Sequence, residues 1–199
     1  MLIPVSGVQG SGKTTVINTL SEQGFLTPYK PSSKSIARTI MEDWGVTLAQ
    51  INADKELQKK FQDENIQRKY KLELGFYGIP QRVYFVERSF ADLFAYALIV
   101  LGMHNEDSKW LNEYYEKCME YQQIYSHVFF LKVGYYIDLM HDGVRGSNMH
   151  YIHLVDMVTH DITKQITLGN RITTIDSPSM DQRVMIIKNF ARSINHERN

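Results

Sequence analysis

The amino-acid sequence predicts an α/β protein in three layers, with a parallel sheet of about five strands and a small lid. Three observations carry that expectation. Short runs of β-forming, apolar residues alternate with longer stretches of helical spacing, the pattern of a parallel sheet covered by helices on both faces. A glycine-rich loop joins the first of those strands to the first helix. The chain has 199 residues, 43% hydrophobic and 22% charged, which suits one ordinary domain and excludes a disordered or fibrous protein. No repeat, low-complexity tract or proline- or serine-rich linker divides it, so residues 1–199 are expected to form a single domain.

Leu2 to Ser6 reads as a buried strand, with Pro4 near its start where proline is tolerated. Val16, Ile17 and Leu20 are spaced for the inner face of a helix ending at Gly24, and Phe25 to Tyr29 would be a short second strand. Ser35 to Trp44 is helical in spacing, stopped by Gly45, and one long helix follows from about Leu48 to Leu74. Gly75 and Gly78-Ile-Pro80 break the chain before the strand Arg82 to Val86. Ser89 caps a helix to about Leu101 and Asp107 another to about Gln123. His127 to Val133 and Arg171 to Ile175 are strands, separated by a helix from about Met149 to Leu168; Met180 to Ile194 is the final amphipathic helix.

The stretch Gly7-Val-Gln-Gly10-Ser11-Gly12-Lys13-Thr14-Thr15 fits G-x-x-x-x-G-K-[ST] without a mismatch, between a strand and a helix. Glycines let backbone N–H groups turn inward around phosphate oxygens, and the helix N-terminus adds partial positive charge. Lys13 would reach the β- and γ-phosphates, and the Thr14 hydroxyl would ligate Mg²⁺. A glycine turn that merely imitates such a loop would not bring both flanks with it, so ATP and Mg²⁺ are the expected cofactors. Glu87-Arg88-Ser89 stands at the carboxyl end of the strand Arg82 to Val86, the edge where open α/β sheets bind ligands. Glu87 there can hold Mg²⁺ directly or through water, and Arg88 can pair with phosphoryl oxygens. An exposed ion pair capping a helix would give the same dipeptide.

With these residues in place, the chain resembles the P-loop kinases of nucleosides and nucleotides, in particular the nicotinamide-riboside-kinase-like AAA-type family and the deoxynucleoside kinases. Glu87, Arg88, Ser89, Asp92, Ala95 and Tyr96 correspond to the family's Asp-Arg strand end and the aspartate and Ala-Tyr pair that follow; the Glu-Arg-Ser form itself resembles the deoxynucleoside kinases. Asp142-Gly143-Val144-Arg145 is similar to the family's Asp-Gly-x-Arg lid segment, so the resemblance implies a lid at approximately 134–150 and a catalytic Arg145 that stabilises charge in flight beside Lys13, Glu87 and Arg88. A solvated loop arginine is the alternative at that position. Asp181-Gln-Arg183-Val matches a place where relatives often carry an arginine, and the turn Asp176 to Met180 matches one where they meet adenine.

The sequence departs from these relatives where they carry a glutamate that serves as base for an acceptor hydroxyl. Residues 27–38 contain no acid, and Ser35 stands in the matching position, with Lys30, Lys34 and Arg38 around it. A phosphate acceptor is already ionised and needs neutralising charge more than a base. This exchange of cations for a base favours a nucleoside monophosphate, bound by Lys30, Lys34, Arg38 and Asp92. It also permits a hydroxyl carried on DNA, at a 5′ end or a hydroxymethylated base, with Glu87 or Asp92 as base. Ordinary surface cations on a loop would look alike. An ATP-binding switch without a small-molecule acceptor is the third possibility.

Lysine plus arginine balances aspartate plus glutamate at 22 each, which favours a small nucleotide or nucleoside over nucleic acid as partner; a homodimer is compatible with the composition. The interleaved charges from Asp54 to Glu73 read as a solvated, ion-paired helix face. The single cysteine, Cys118, excludes an internal disulfide, and His141, His150, His153 and His160 lack the further ligands of a zinc site. No apolar run approaches ~18 residues and the opening residues lack a basic flank, so the expectation is a cytoplasmic protein without membrane contact.

Overall fold

A computed structural model of the protein describes residues 1–28, 35–79, 82–102, 105–133 and 148–196. Four parallel strands, β1 (Leu2–Ser6), β2 (Tyr84–Glu87), β3 (Val128–Leu131) and β4 (Ile172–Ile175), lie in the order β2-β1-β3-β4. The helices are α1 (Lys13–Glu22), α2 (Ile36–Trp44), α3 (Leu48–Ala53), α4 (Lys55–Leu74), α5 (Phe90–Leu101), α6 (Ser108–Gln122), α7 (Met149–Ile166) and α8 (Met180–His196). Among the described residues the sheet has four strands, slightly fewer than the expected number of about five. Of the expected strand Phe25 to Tyr29, the described residues 25–28 contribute a single bridge from Leu26 to Tyr84, on the outer edge of β2, with the Phe85 N–H donating to the Leu26 carbonyl, and Tyr29 lies outside the described residues.

The strands are apolar on both faces because both faces are covered. Ile3, Val5, Phe85, Phe129 and Leu131 pack with Val16, Ile17 and Leu20 of α1 and Val184, Ile187 and Ala191 of α8. Leu2, Tyr84 and Val86 point the other way, into a cluster with Ile66 of α4, Phe90 and Phe94 of α5, Tyr114 of α6 and Ile162 of α7. Pro4 is tolerated in central β1 because registered pairing with β3 begins only at Val5, beyond the missing N–H. After β1 the chain builds β2 on one side and then β3 on the other, so the strand order reverses at the carboxyl end of β1, where an open sheet forms its ligand crevice.

Two further expectations need correction. The long helix from Leu48 to Leu74 is two helices: Asp54 is extended (φ −127°, ψ 110°), and its carboxylate accepts the Glu56 and Leu57 N–H groups to start α4 anew. Asp107 does not cap α6 with its side chain but pairs with Lys55 and Lys59. Lys30, Lys34 and Arg145, with residues 134–147 of the expected lid, lie outside the described residues; Met149 and His150 open α7, which Asn148 caps. Among the described residues no helix is long and apolar enough to cross a membrane.

His127 precedes β3, its ring packed at a tilt against Phe129 and Phe190, with its Nε2 2.9 Å from Thr173 Oγ1. Burial, helped by the nearby Arg171, pushes its pKa down to about 4. An unfolded histidine titrates near 6.5, so between roughly pH 6.5 and 4 the unfolded chain binds more protons and stability falls with pH. Thermal unfolding followed across that window should show a decline that His127→Gln makes shallower; an identical profile in the variant would assign the loss to other groups.

Candidate active site

The phosphate-binding loop leaves β1 at Gly7 and enters α1 at Lys13. Gly7 has φ 134°, and a Cβ there would stand 2.5 Å from the Leu131 carbonyl oxygen of β3, so no side chain fits. Gly12, at φ 86°, caps α1 in the left-handed region, where a Cβ would meet Met180 of α8 at 2.7 Å. Ser11 and Lys13 are buried, while Gly10, Thr14 and Thr15 are exposed at the mouth. The Lys13 ammonium folds back along the loop and donates to the Val8 carbonyl at 2.7 Å. No acid occupies the first turn of α1, so its N–H groups present uncancelled positive charge.

Glu87 ends β2 beside this loop. Thr14 Oγ1 donates to Glu87 Oε2 at 3.0 Å, joining positions 73 residues apart. A hydroxyl and a carboxylate so placed are the hard oxygen donors that Mg²⁺ takes, one or two from the protein with phosphate and water completing the octahedron. The residues therefore fit the ion expected from the sequence. Arg88 follows at φ 64°, a left-handed conformation that costs a non-glycine residue on the order of 1–3 kcal/mol. Its guanidinium lies 5.0 Å from the Tyr96 ring centroid and 3.9 Å from Asp92 Oδ1, and its buried Nη1 and the Tyr96 hydroxyl have no hydrogen-bond partner. Burial opposes the Arg88 charge, but Tyr96, Asp92 and Glu87 outweigh it and hold the pKa above the ordinary guanidinium value.

Asp92, expected at the acceptor, is fully buried, and its carboxylate accepts four hydrogen bonds, from Ser6 Oγ (2.6 Å), the Gly7 N–H (3.0 Å), the Ser89 N–H (2.7 Å) and Ser89 Oγ (2.8 Å). It clasps the start of the phosphate loop to the β2–α5 turn. Arg38 lies exposed on the first turn of α2, and Ser35 caps that helix by accepting the Arg38 N–H at 3.4 Å.

Sequence reasoning missed two groups. Arg183 of α8, only 6% exposed, donates to the carbonyls of Ser11 and, at 3.0 Å, Lys132, and so ties α8 to the loop and to the end of β3. The similarity around Asp181 to Val184 was its one signal. Lys69 and Glu73, expected on a solvated face, are buried, and Lys69 Nζ donates to the Glu87 carbonyl at 3.1 Å. Asp156 of α7, whose Oδ1 accepts the Val133 N–H at 3.4 Å, sits at the same sheet edge; burial pushes its pKa up.

A family model described as an AAA domain matches residues 2–183. No curated protein sequence matches the chain. Among solved structures it is similar to NadR protein in complex with NR, at 16% identity and a TM-score of 0.71, covering 96% of this chain and 51% of that one. The chain thus spans about half the length of that NadR chain. Deoxyadenosine kinase from M. mycoides with bound dCTP shares 16% identity and a TM-score of 0.65 over 97% of this chain and 100% of its own. Thymidylate kinase from Candida albicans shares 20% identity and a TM-score of 0.55 over 98% and 92%. The fold is that of the P-loop nucleoside and nucleotide kinases.

Asp92→Asn turns one acceptor oxygen into a donor facing donors. It should lower unfolding free energy by about 2–4 kcal/mol in urea titrations and weaken ATP binding with it. Unchanged stability would remove Asp92 from its place as the clasp.

Proposed function

The chain belongs to the AAA domain family, and on that premise we propose that it is a Mg²⁺-ATP-dependent kinase. It transfers the γ-phosphate to a nucleotide or nucleoside, with a nucleoside monophosphate the favoured acceptor. The observation that carries this reading is the meeting of Thr14 and Glu87 beside the Lys13 loop, with the half-buried Arg88 next to them.

The loop N–H groups and Lys13 would bind the triphosphate, and Thr14 with Glu87 would hold Mg²⁺, which would neutralise phosphate charge. In transfer, an acceptor oxygen bonds to the γ-phosphorus, the bond from that phosphorus to the β–γ bridging oxygen breaks, and ADP leaves. Arg88 has a buried Nη1 that makes no hydrogen bond, and a phosphoryl oxygen would satisfy it. Asp92 is committed to four donors and Glu87 to Thr14, which supports an acceptor that arrives ionised over one that must surrender a proton. The balanced charge of the chain supports a small acceptor. On the sequence alone, Lys30, Lys34 and Arg38 serve the acceptor and Arg145 closes over the transferring group.

The test is transfer of label from γ-labelled ATP with Mg²⁺ to a panel of nucleosides, nucleoside monophosphates, nicotinamide riboside, and DNA with ordinary or hydroxymethylated bases. Label on a free nucleotide or nucleoside is expected; label on DNA alone, or hydrolysis indifferent to every acceptor, would overturn the proposal. Lys13→Ala should reduce transfer to background. Arg88→Ala should lower kcat on the order of 10²-fold with little change in ATP affinity; a rise in ATP KM at unchanged kcat would move Arg88 to ground-state binding.

A further inference from the structure

Lys69 and Glu73 stand one turn apart on α4, 3% and 0% exposed, and pair with each other. Burying two opposite charges carries a desolvation cost that their attraction repays only with good geometry, and an apolar pair of similar volume often serves stability as well. Packing therefore does not account for them. Their other partners do. The second Glu73 oxygen accepts from the Tyr125 hydroxyl at 2.6 Å, and Lys69 Nζ donates to the Glu87 carbonyl at 3.1 Å while lying 5.7 Å from the Phe90 ring centroid.

The Glu87 carbonyl belongs to the peptide unit whose N–H is that of Arg88, and this N–H donates to the Val5 carbonyl at 3.0 Å. The unit is thus held from both sides, by α4 at its oxygen and by β1 at its nitrogen. A peptide unit is planar, so fixing both ends fixes the directions in which Glu87 and Arg88 leave it. The left-handed turn at Arg88 needs such restraint, because a strained conformation persists only where its surroundings over-determine it.

We propose that Lys69 is a positioning residue for the metal-binding Glu87 and the phosphoryl-binding Arg88, with Glu73 and Tyr125 aiming its ammonium. The inference rests on the reading of Glu87 and Arg88 given above. Lys69 touches no substrate; it acts through the peptide unit that carries both side chains.

Lys69→Met strands the Glu73 carboxylate and should destabilise the fold, so the informative variant is Lys69→Met/Glu73→Gln, which removes both charges. Thermal unfolding, Mg²⁺-dependent ATP binding and steady-state kinetics would be measured on the full chain. The double variant should recover most of the melting temperature lost in Lys69→Met. It should nevertheless need roughly 10-fold more Mg²⁺ for half-maximal ATP binding and lose about 10- to 100-fold in kcat, with ATP binding in EDTA unchanged. A folded double variant with the wild-type Mg²⁺ requirement would overturn the proposal. Should that variant fail to fold, Tyr125→Phe takes its place: a smaller rise in Mg²⁺ requirement at near-native melting temperature is expected, and none would overturn the proposal. Mg²⁺-ATP binding needs no acceptor, so wild-type protein that binds Mg²⁺-ATP yet phosphorylates nothing refutes the kinase reading alone. Wild-type protein that binds no Mg²⁺-ATP refutes both.

Discussion

The buried carboxylate of Asp92 joins three parts of the site that the chain order keeps far apart. It accepts from Ser6 at the end of β1, from Gly7 at the start of the phosphate loop and from Ser89 at the head of α5. Each hydrogen bond to a charged group contributes about 1.5–3 kcal/mol, and a buried charge without such partners would be costly. The same contacts hold the loop against the strand end that carries Glu87 and Arg88. The clasp adds to the β1–β2 pairing, whose register sets Val5 opposite Glu87, in bringing Thr14 and Glu87 together. The conformation of the phosphate loop and the position of the second signature are therefore one constraint.

Around that constraint the loop is fixed from the other side by Arg183, which reaches Ser11 and Lys132 from α8. Gly7 has no room for a side chain because the Leu131 carbonyl of β3 presses against it, and Gly12 is held to glycine by its left-handed backbone. The loop is thus a rigid cradle built by three elements, with its exposed residues at the mouth. Rigid donors already aimed at the place where charge will sit are what phosphoryl transfer requires of a protein.

Much of this was legible in the sequence because local rules decide it. The phosphate loop announces itself through glycine spacing, and the cap at Ser89 and the stop at Gly45 follow from backbone chemistry. Where tertiary packing decides, the sequence was a poor guide. Asp54 could be read as one more charge on a long helix, yet it divides the helix by capping its second half. Phe25 to Tyr29 has the composition of a strand, but among its described residues only Leu26 pairs. Lys69 and Glu73 match any solvated i,i+4 pair, and nothing in their spacing reveals that α5 and Tyr125 cover them. Asp92 suited an acceptor ligand by resemblance, and its four donors come from backbone and hydroxyl groups that no linear pattern brings together.

The central claim is that Thr14, Glu87 and Lys13 form a seat for a magnesium nucleoside triphosphate held in place by Asp92. A crystal structure with Mg²⁺ and a non-hydrolysable ATP analogue tests it most directly. The account predicts that Thr14 and Glu87 part to take the metal, that the Lys13 ammonium leaves the Val8 carbonyl for the phosphates, and that every Asp92 contact stays as it is. A nucleotide bound away from Gly7 to Thr15, or a Thr14–Glu87 hydrogen bond still closed beneath a bound triphosphate, would contradict it.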